Sequence, residues 1–160
     1  MSEDKPEIII REYNRQVDSL FVYQLIMKVF QGTRLILDQL DEFAKNLLGW
    51  VATVNNIIIG TLLHSPFEYK GTKYKQYGKD WHYLDYIAID KNYRKCGLGT
   101  KLMSLFMNEL TTKYKGKVCY LHVEKNTEQT NKLKAWYGKY GFKTTGRTKT
   151  NIALVMIRFV

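Results

Sequence analysis

Between an apolar run ending at Asp90 and a helical pattern opening near Thr100, the chain reads Arg94-Lys95-Cys96-Gly97-Leu98-Gly99-Thr100-Lys101. Two glycines remove the Cβ atoms that would hold a ligand away from the backbone. A helix starting here leaves its first N–H groups unpaired and presents the positive end of its dipole. Arg94, Lys95 and Lys101 add charge. The chemistry on offer is anion binding, and a pyrophosphate is the natural occupant. A P-loop would need Gly-x-x-x-x-Gly-Lys-Ser/Thr, and Gly99 is instead followed by Thr100-Lys101. The dinucleotide fingerprint would need a third glycine where Leu102 stands. A glycine pair at such a turn also arises as plain turn chemistry.

A second candidate is Asp85, set in the apolar and aromatic run Tyr83-Leu84-Asp85-Tyr86-Ile87. A carboxylate there is costly unless it faces a cleft or a partner. Partial burial raises its pKa toward the range of a base that works near neutrality. A structural pair with Lys or Arg is the simpler alternative. His82 and His122 alternate with apolar neighbours and read as structural histidines, while His64 ends a strand and is expected to face solvent. Cys119 reads as core. Cys96 lies in the glycine loop without support for a nucleophilic role. The cysteines show no metal-ligand spacing, and no metal is expected. Lys70, Lys73, Lys75 and Lys79 interleave with Tyr69, Tyr74 and Tyr77. That mixture imitates a nucleic-acid patch, but a solvated excursion or a flap over a site is the expectation. Asp38, Asp41 and Glu42 could attract a cationic amine or simply form a charged helix face.

The elements that must position these groups follow from periodicity. Strands are expected over Glu7–Glu12, Leu48–Val54, Ile57–His64, Trp81–Asp90, Val118–Val123, Phe142–Gly146 and Ile152–Val160. Helices are expected over Val17–Phe30, Leu35–Leu47, Thr100–Tyr114 and Gln129–Tyr140, the last stopped by Gly141. Asn55-Asn56 suits the positive φ of a tight hairpin. Residues 65–80 read as a loop or irregular hairpin. The order implies a mixed α/β domain, with a mostly antiparallel amino half and a strand–helix–strand–helix–strand unit after it.

The chain has 160 residues, which suits a single domain spanning 1–160. Aromatics at 14% and regular apolar runs argue against disorder. No apolar run approaches the ~20 residues of a membrane span. The acidic, polar opening residues do not resemble a signal peptide. A soluble, cytoplasmic protein without a membrane partner is expected. The net charge is +10, from 25 basic and 15 acidic residues. Residues 1–69 carry 6 basic and 9 acidic side chains, net −3; residues 70–160 carry 19 and 6, net +13. A basic carboxy-terminal part suits an anionic ligand, and an acidic amino-terminal part suits a cationic one.

Arg94-x-x-Gly97-x-Gly99, after Tyr86-Ile87-Ala88-Ile89-Asp90 and before Leu102-Met103, resembles the acetyl-CoA-binding motif of the GCN5-related N-acetyltransferase (GNAT) superfamily. Downstream, Leu121-x-Val123 is followed by Asn126, and Leu133-x-x-Trp136-Tyr137-x-x-x-Gly141-Phe142 resembles a second segment of that family. The resemblance covers essentially the whole chain. It implies a central mixed, mostly antiparallel sheet flanked by helices, with acetyl-CoA as co-substrate. The strand over Trp81–Asp90 would splay from its neighbour at a bulge. Backbone at Ile87, Ala88 and Ile89 would hold the pantetheine arm and polarise the thioester, and backbone at Lys95, Cys96, Gly97, Leu98, Gly99 and Thr100, with Arg94, would hold the pyrophosphate. A further cofactor contact falls on Asn126 or on Thr130 and Asn131, because the stretch to Phe142 is longer than the family pattern. Tyr137 would protonate the departing thiolate. Asp85 would be the base or the amine anchor, similar to a carboxylate in diamine-type members. A free alkylamine has a pKa near ~10.4, so a base or a relay must remove its proton.

The resemblance thus implies acetyl transfer to a primary amine, small and polyamine-like. The alternatives are a protein N-terminal or lysine acetyltransferase, and a basic nucleic-acid-binding or acyl-CoA-sensing module on the same fold. Nucleic acid is not the expected partner. A homodimer is an open expectation.

Overall fold

Asn14 opens the first helix. Its side chain accepts a hydrogen bond from the Gln16 N–H at 3.0 Å, so α1 runs Arg15–Val29 and starts before the expected Val17. The structure, a computed structural model, describes residues 4–30, 46–115, 117–124, 129–147 and 153–159. The helix expected over Leu35–Leu47 falls almost wholly outside them, as do Asp38, Asp41, Glu42 and Asn126.

The described strands are β1 (Ile9–Glu12), β2 (Leu48–Val54), β3 (Ile57–Glu68), β4 (Asp80–Ile89), β5 (Cys119–Glu124), β6 (Lys143–Arg147) and β7 (Ala153–Arg158). Two further helices are described, α2 (Leu98–Thr112) and α3 (Thr130–Gly138). Among these residues none is long and apolar enough to cross a membrane. Strand order is β1-β2-β3-β4-β5-β7-β6. The pairs β1–β2, β2–β3, β5–β7 and β6–β7 are antiparallel and β4–β5 is parallel, so the mixed α/β fold is as expected. Asn55 and Asn56 take φ of 50° and 64°, the left-handed pair a two-residue hairpin requires.

Two expectations need correction. β3 continues past His64 through Pro66 to Glu68, so residues 65–80 are not all loop. The tip is a 3-10 turn over Lys75–Tyr77 between strand ends joined by Tyr69 N–H to Lys79 O at 2.8 Å. α2 begins two residues before Thr100, because Leu98 is apolar enough to be buried as its first residue.

The chain divides into two compact units: Met1–Ser65 with Asp85–Phe106, and Pro66–Leu84 with Met107–Val160. In the first, Val22, Leu25 and Ile26 of α1 pack on Val51, Leu63 and Ala88. Asp18, only 1% exposed, is held by both Arg11 guanidinium nitrogens at 2.7 Å and by the Asn14 N–H at 2.8 Å. Desolvation pushes its pKa up, but the Arg11 hydrogen bonds, the Asn14 N–H and the Arg11 charge together bring it below the ordinary 3.8. In the second unit, Trp81, Val118 and Ile157 form a core with Tyr69, Tyr74, Tyr120, Val155 and Phe159 packed on it.

Candidate active site

The turn from β4 to α2 lies in the first unit. Asp90 N–H donates to Ile59 O at 2.8 Å, tying the end of β4 to β3. The Asp90 carboxylate accepts from Asn92 N–H at 3.0 Å and from the Lys28 ammonium of α1 at 2.7 Å. These bonds shape a 3-10 turn over Lys91–Tyr93, and Arg94 Nε donates back to Ile89 O at 3.1 Å. Lys95 and Gly97 then take φ of 65° and 80°. A Cβ on Gly97 would meet nothing within 4 Å, so the backbone angle and not crowding favours glycine there. The first bond of the helix runs from Lys101 N–H to Gly97 O at 3.1 Å. The N–H groups of Leu98, Gly99 and Thr100 precede it, as helix geometry demands.

Lys95, Cys96, Gly97, Thr100 and Lys101 are exposed. Three leading N–H groups, two left-handed residues and several cations make a cradle that fits a pyrophosphate. The Cys96 thiol folds back to donate to Tyr93 O at 2.7 Å.

Asp85, half-buried on β4, belongs to the same unit. Its Oδ2 accepts from the Ser65 hydroxyl at 2.6 Å. Burial is the dominant influence and lifts its pKa to about 7, against the opposing Ser65 hydrogen bond. Burial and then the Asp85 charge push the neighbouring Tyr86 hydroxyl up to about 12. A carboxyl with a pKa near 7 can take a proton and give it back near neutral pH.

The strand holding Asp85 is irregular. Ser65 and Leu63 are two apart on β3 and share a face. Asp85 bonds Ser65, while Ala88 packs in the cluster of Leu63. Positions 85 and 88 differ by an odd number, so the alternation of β4 slips by one between them, the signature of a bulge. Ile87, Ala88 and Ile89 lie at or beyond that slip, with Ala88 buried and the other two half-buried.

In the second unit, the ladder between β4 and β5 consists, among the described residues, of His82 with Cys119 and Tyr83 with Tyr120. The Tyr83 hydroxyl lies 3.3 Å from His122 Nδ1. His122 is open to solvent, yet partial desolvation holds its pKa below 6.5, so its ring is largely neutral at pH 7. Tyr83 is not among the candidates its sequence neighbourhood singles out. The signal was present, since Tyr83 and His122 lie on facing strands with the alternation that brings them to one side.

Tyr137 on α3 is 7% exposed and packs edge-on against Trp136 and Phe142, with centroids 5.1 and 6.1 Å away. Burial lifts its hydroxyl above the ordinary 10, so the phenol keeps its proton throughout the neutral range. Thr130 is buried at the start of α3 and Asn131 is exposed. Gly141, at φ 90°, lets Phe142 N–H return to Tyr137 O at 3.4 Å.

Two other histidines are settled by packing. His64 is fully buried between Trp50 and Phe106, ring centroids 5.6 and 4.9 Å away, which overturns the expected solvent exposure. It sits opposite Leu48 on β3, on the face that α2 closes over. His82 is equally buried against Tyr114, and desolvation followed by the Lys117 charge lowers its pKa to about 4. Cys119 is core, as expected.

The second unit also holds an open groove of about 440 Å³. It is lined by Phe67, Tyr69, Lys73, Tyr74, Trp81, Tyr120, His122, Thr145, Gly146, Val155 and Ile157.

Three known proteins are similar to this chain. A probable spermine N(1)-acetyltransferase from Bacillus subtilis subsp. natto is 33% identical over 81 residues, 51% of this chain and 50% of that protein. The matched stretch therefore spans about half the length of that curated relative. Arabidopsis thaliana NAA60, solved in complex with acetyl-CoA, superposes with a TM-score of 0.72 at 16% identity, covering 96% of this chain and 99% of that one. The ribosomal-protein-S18-alanine N-acetyltransferase from Escherichia coli gives 0.67 at 17% identity, covering 96% and 94%. At such identities the two structures speak for the fold alone. Residues 45–144, well over half of the chain, match the acetyltransferase (GNAT) domain. That stretch contains the left-handed turn, Asp85 and Tyr137, and the chain belongs to the GNAT acetyltransferases, a family of acetyl-CoA-dependent N-acetyltransferases.

Proposed function

We propose that the chain transfers an acetyl group from acetyl-CoA to a small primary amine. The observation that carries this reading is Asp85, a carboxyl brought to a pKa of about 7 on a strand that leads into an anion cradle. Arg94 and the backbone of residues 95–100 hold the pyrophosphate, and backbone at Ile87, Ala88 and Ile89 serves the pantetheine arm. Thr130 and Asn131 are the described candidates for a further contact. Acetyl-CoA supplies the acetyl group in activated form, as a thioester. Asp85 takes the proton that the attacking amine must lose. The Tyr137 phenol, still protonated at neutral pH, supplies the proton the departing thiolate needs. Tyr83 and His122 offer a second route for the amine proton, with the neutral imidazole as acceptor.

The spermine relative supports a small acceptor, and the acidic first 69 residues support a cationic one. A protein amine is the second reading, because the fold it shares with the ribosomal-protein acetyltransferase is compatible with either kind of acceptor. The proposal includes a cytoplasmic location, with a homodimer as the assembly to be tested. Release of CoA thiol over a panel of amines and amino-terminal peptides decides between acceptors. Turnover on peptides alone would overturn the small-amine reading.

A further inference from the structure

Aromatic rings cluster in one part of the second unit, around Trp81. Trp81 lies flat on Tyr69, centroids 4.1 Å apart and planes within 5°. Tyr120 stacks on Tyr83 at 4.4 Å and meets Phe67 at 4.7 Å, while Tyr74 leans over Trp81 at 6.1 Å. Tyr69 and Tyr74 come from the excursion between β3 and β4, which is held in shape by its own hydrogen bonds. Tyr74 N–H donates to the Tyr69 hydroxyl at 3.2 Å, and Trp81 Nε1–H donates to Gly78 O at 3.1 Å. A Cβ on Gly71 would sit 2.5 Å from the Tyr69 hydroxyl, so glycine is what allows the loop to close on that ring. The walls of the 440 Å³ groove are therefore preformed.

Charge and size narrow the occupant. Of the residues lining the groove, Lys73 carries the formal charge, its ammonium 5.3 Å from the centre of the Tyr74 ring. Among the described residues, no carboxylate lines it. A polyamine brings several ammonium groups that need counter-charges, and this groove offers a like charge instead. Flat rings, by contrast, gain from stacking. A dry cavity of about 150 Å³ is enough for a benzene ring. The groove is large enough for a ring and a short arm, within the ~300–1,000 Å³ usual for small-molecule sites. His122 lines it, with the Tyr83 hydroxyl at 3.3 Å, so a polar end has partners.

We infer that this groove binds the acceptor, and that the acceptor is a primary amine joined by a short alkyl arm to a planar aromatic body. The inference rests on the acetyl-transfer reading and moves the acceptor away from polycations. Its test compares 2-phenylethylamine and tryptamine with spermine and butylamine, and measures binding of tryptophol, which has the indole but no amine. The aromatic amines should exceed the others about tenfold or more in kcat/KM, as one or two ring stackings provide. Tyr69→Leu and Tyr74→Leu should each weaken tryptophol about tenfold in calorimetry, with retained acetyl-CoA binding reporting that the variants fold. Preference for spermine would overturn the inference and leave acetyl transfer standing. Failure of tryptophol to bind, or binding unaffected by both variants, would also overturn it. Tryptophol binding that both variants weaken, with no amine acetylated, would uphold the groove and sink the transferase reading.

Discussion

Asparagine at position 85 keeps the shape of the side chain and an oxygen for the Ser65 hydroxyl, but carries no titrating proton. The wild-type carboxyl moves from 3.8 when unfolded to about 7 in the fold. The folded chain thus holds the proton more tightly. Asp85 favours the fold fully below pH 3.8, and that contribution is lost as pH rises through 7. By pH 8 the loss amounts to about 4 kcal/mol, and at pH 5 to about 2 kcal/mol. Urea unfolding of wild type and Asp85→Asn at the two pH values should therefore show the stability difference drifting by roughly 2 kcal/mol in the variant's favour. Turnover should move oppositely. Wild-type kcat/KM should bend near pH 7, and the variant should lose the bend and about 10²–10⁴-fold in rate. A stability difference that is the same at both pH values would refute the burial argument. A variant with wild-type kcat/KM would refute the base. If a bend persists below pH 6.5, the proton acceptor is His122, whose own pKa lies there.

Three further outcomes follow from the same geometry. Gly99→Glu places a carboxylate among the leading N–H groups of α2 and should abolish acetyl-CoA binding in calorimetry; unchanged affinity would remove the cradle. Tyr137→Phe should lower kcat with little change in acetyl-CoA affinity, and full activity would exclude it as the acid. Asp18→Asn removes two charge-assisted bonds from Arg11 and should destabilise the fold by about 2 kcal/mol at pH 7. Because the Asp18 pKa is lowered on folding, that loss should shrink as pH falls below 4, measured by urea unfolding.

Much of the frame was legible in the chain itself. The glycine loop, the Asn55-Asn56 hairpin and the stop at Gly141 all rest on φ angles that one or two residues decide, so residue type alone announces them. The helix start at Asn14 was equally readable, since a cap acts over two residues, but apolar periodicity drew attention to Val17 instead. Strand alternation was readable too, and it placed Cys119 inside. His64 escaped the same logic. It looked like a strand end, and only the extension of β3 and the arrival of Phe106 from α2 made it core.

The types of the described elements, the left-handed glycine turn and the family resemblance were thus readable from the chain, because propensities, turn angles and helix ends act within a few residues. The tertiary structure decided the rest. Asp85 acquires a pKa of about 7 through burial, opposed by Ser65, twenty positions away in the chain. Tyr83 finds His122 across a parallel ladder, and the aromatic groove exists because an excursion folds back on β4, β5 and β7. Desolvation and ring packing sum over neighbours that are distant in sequence, and no local pattern records which neighbours those will be.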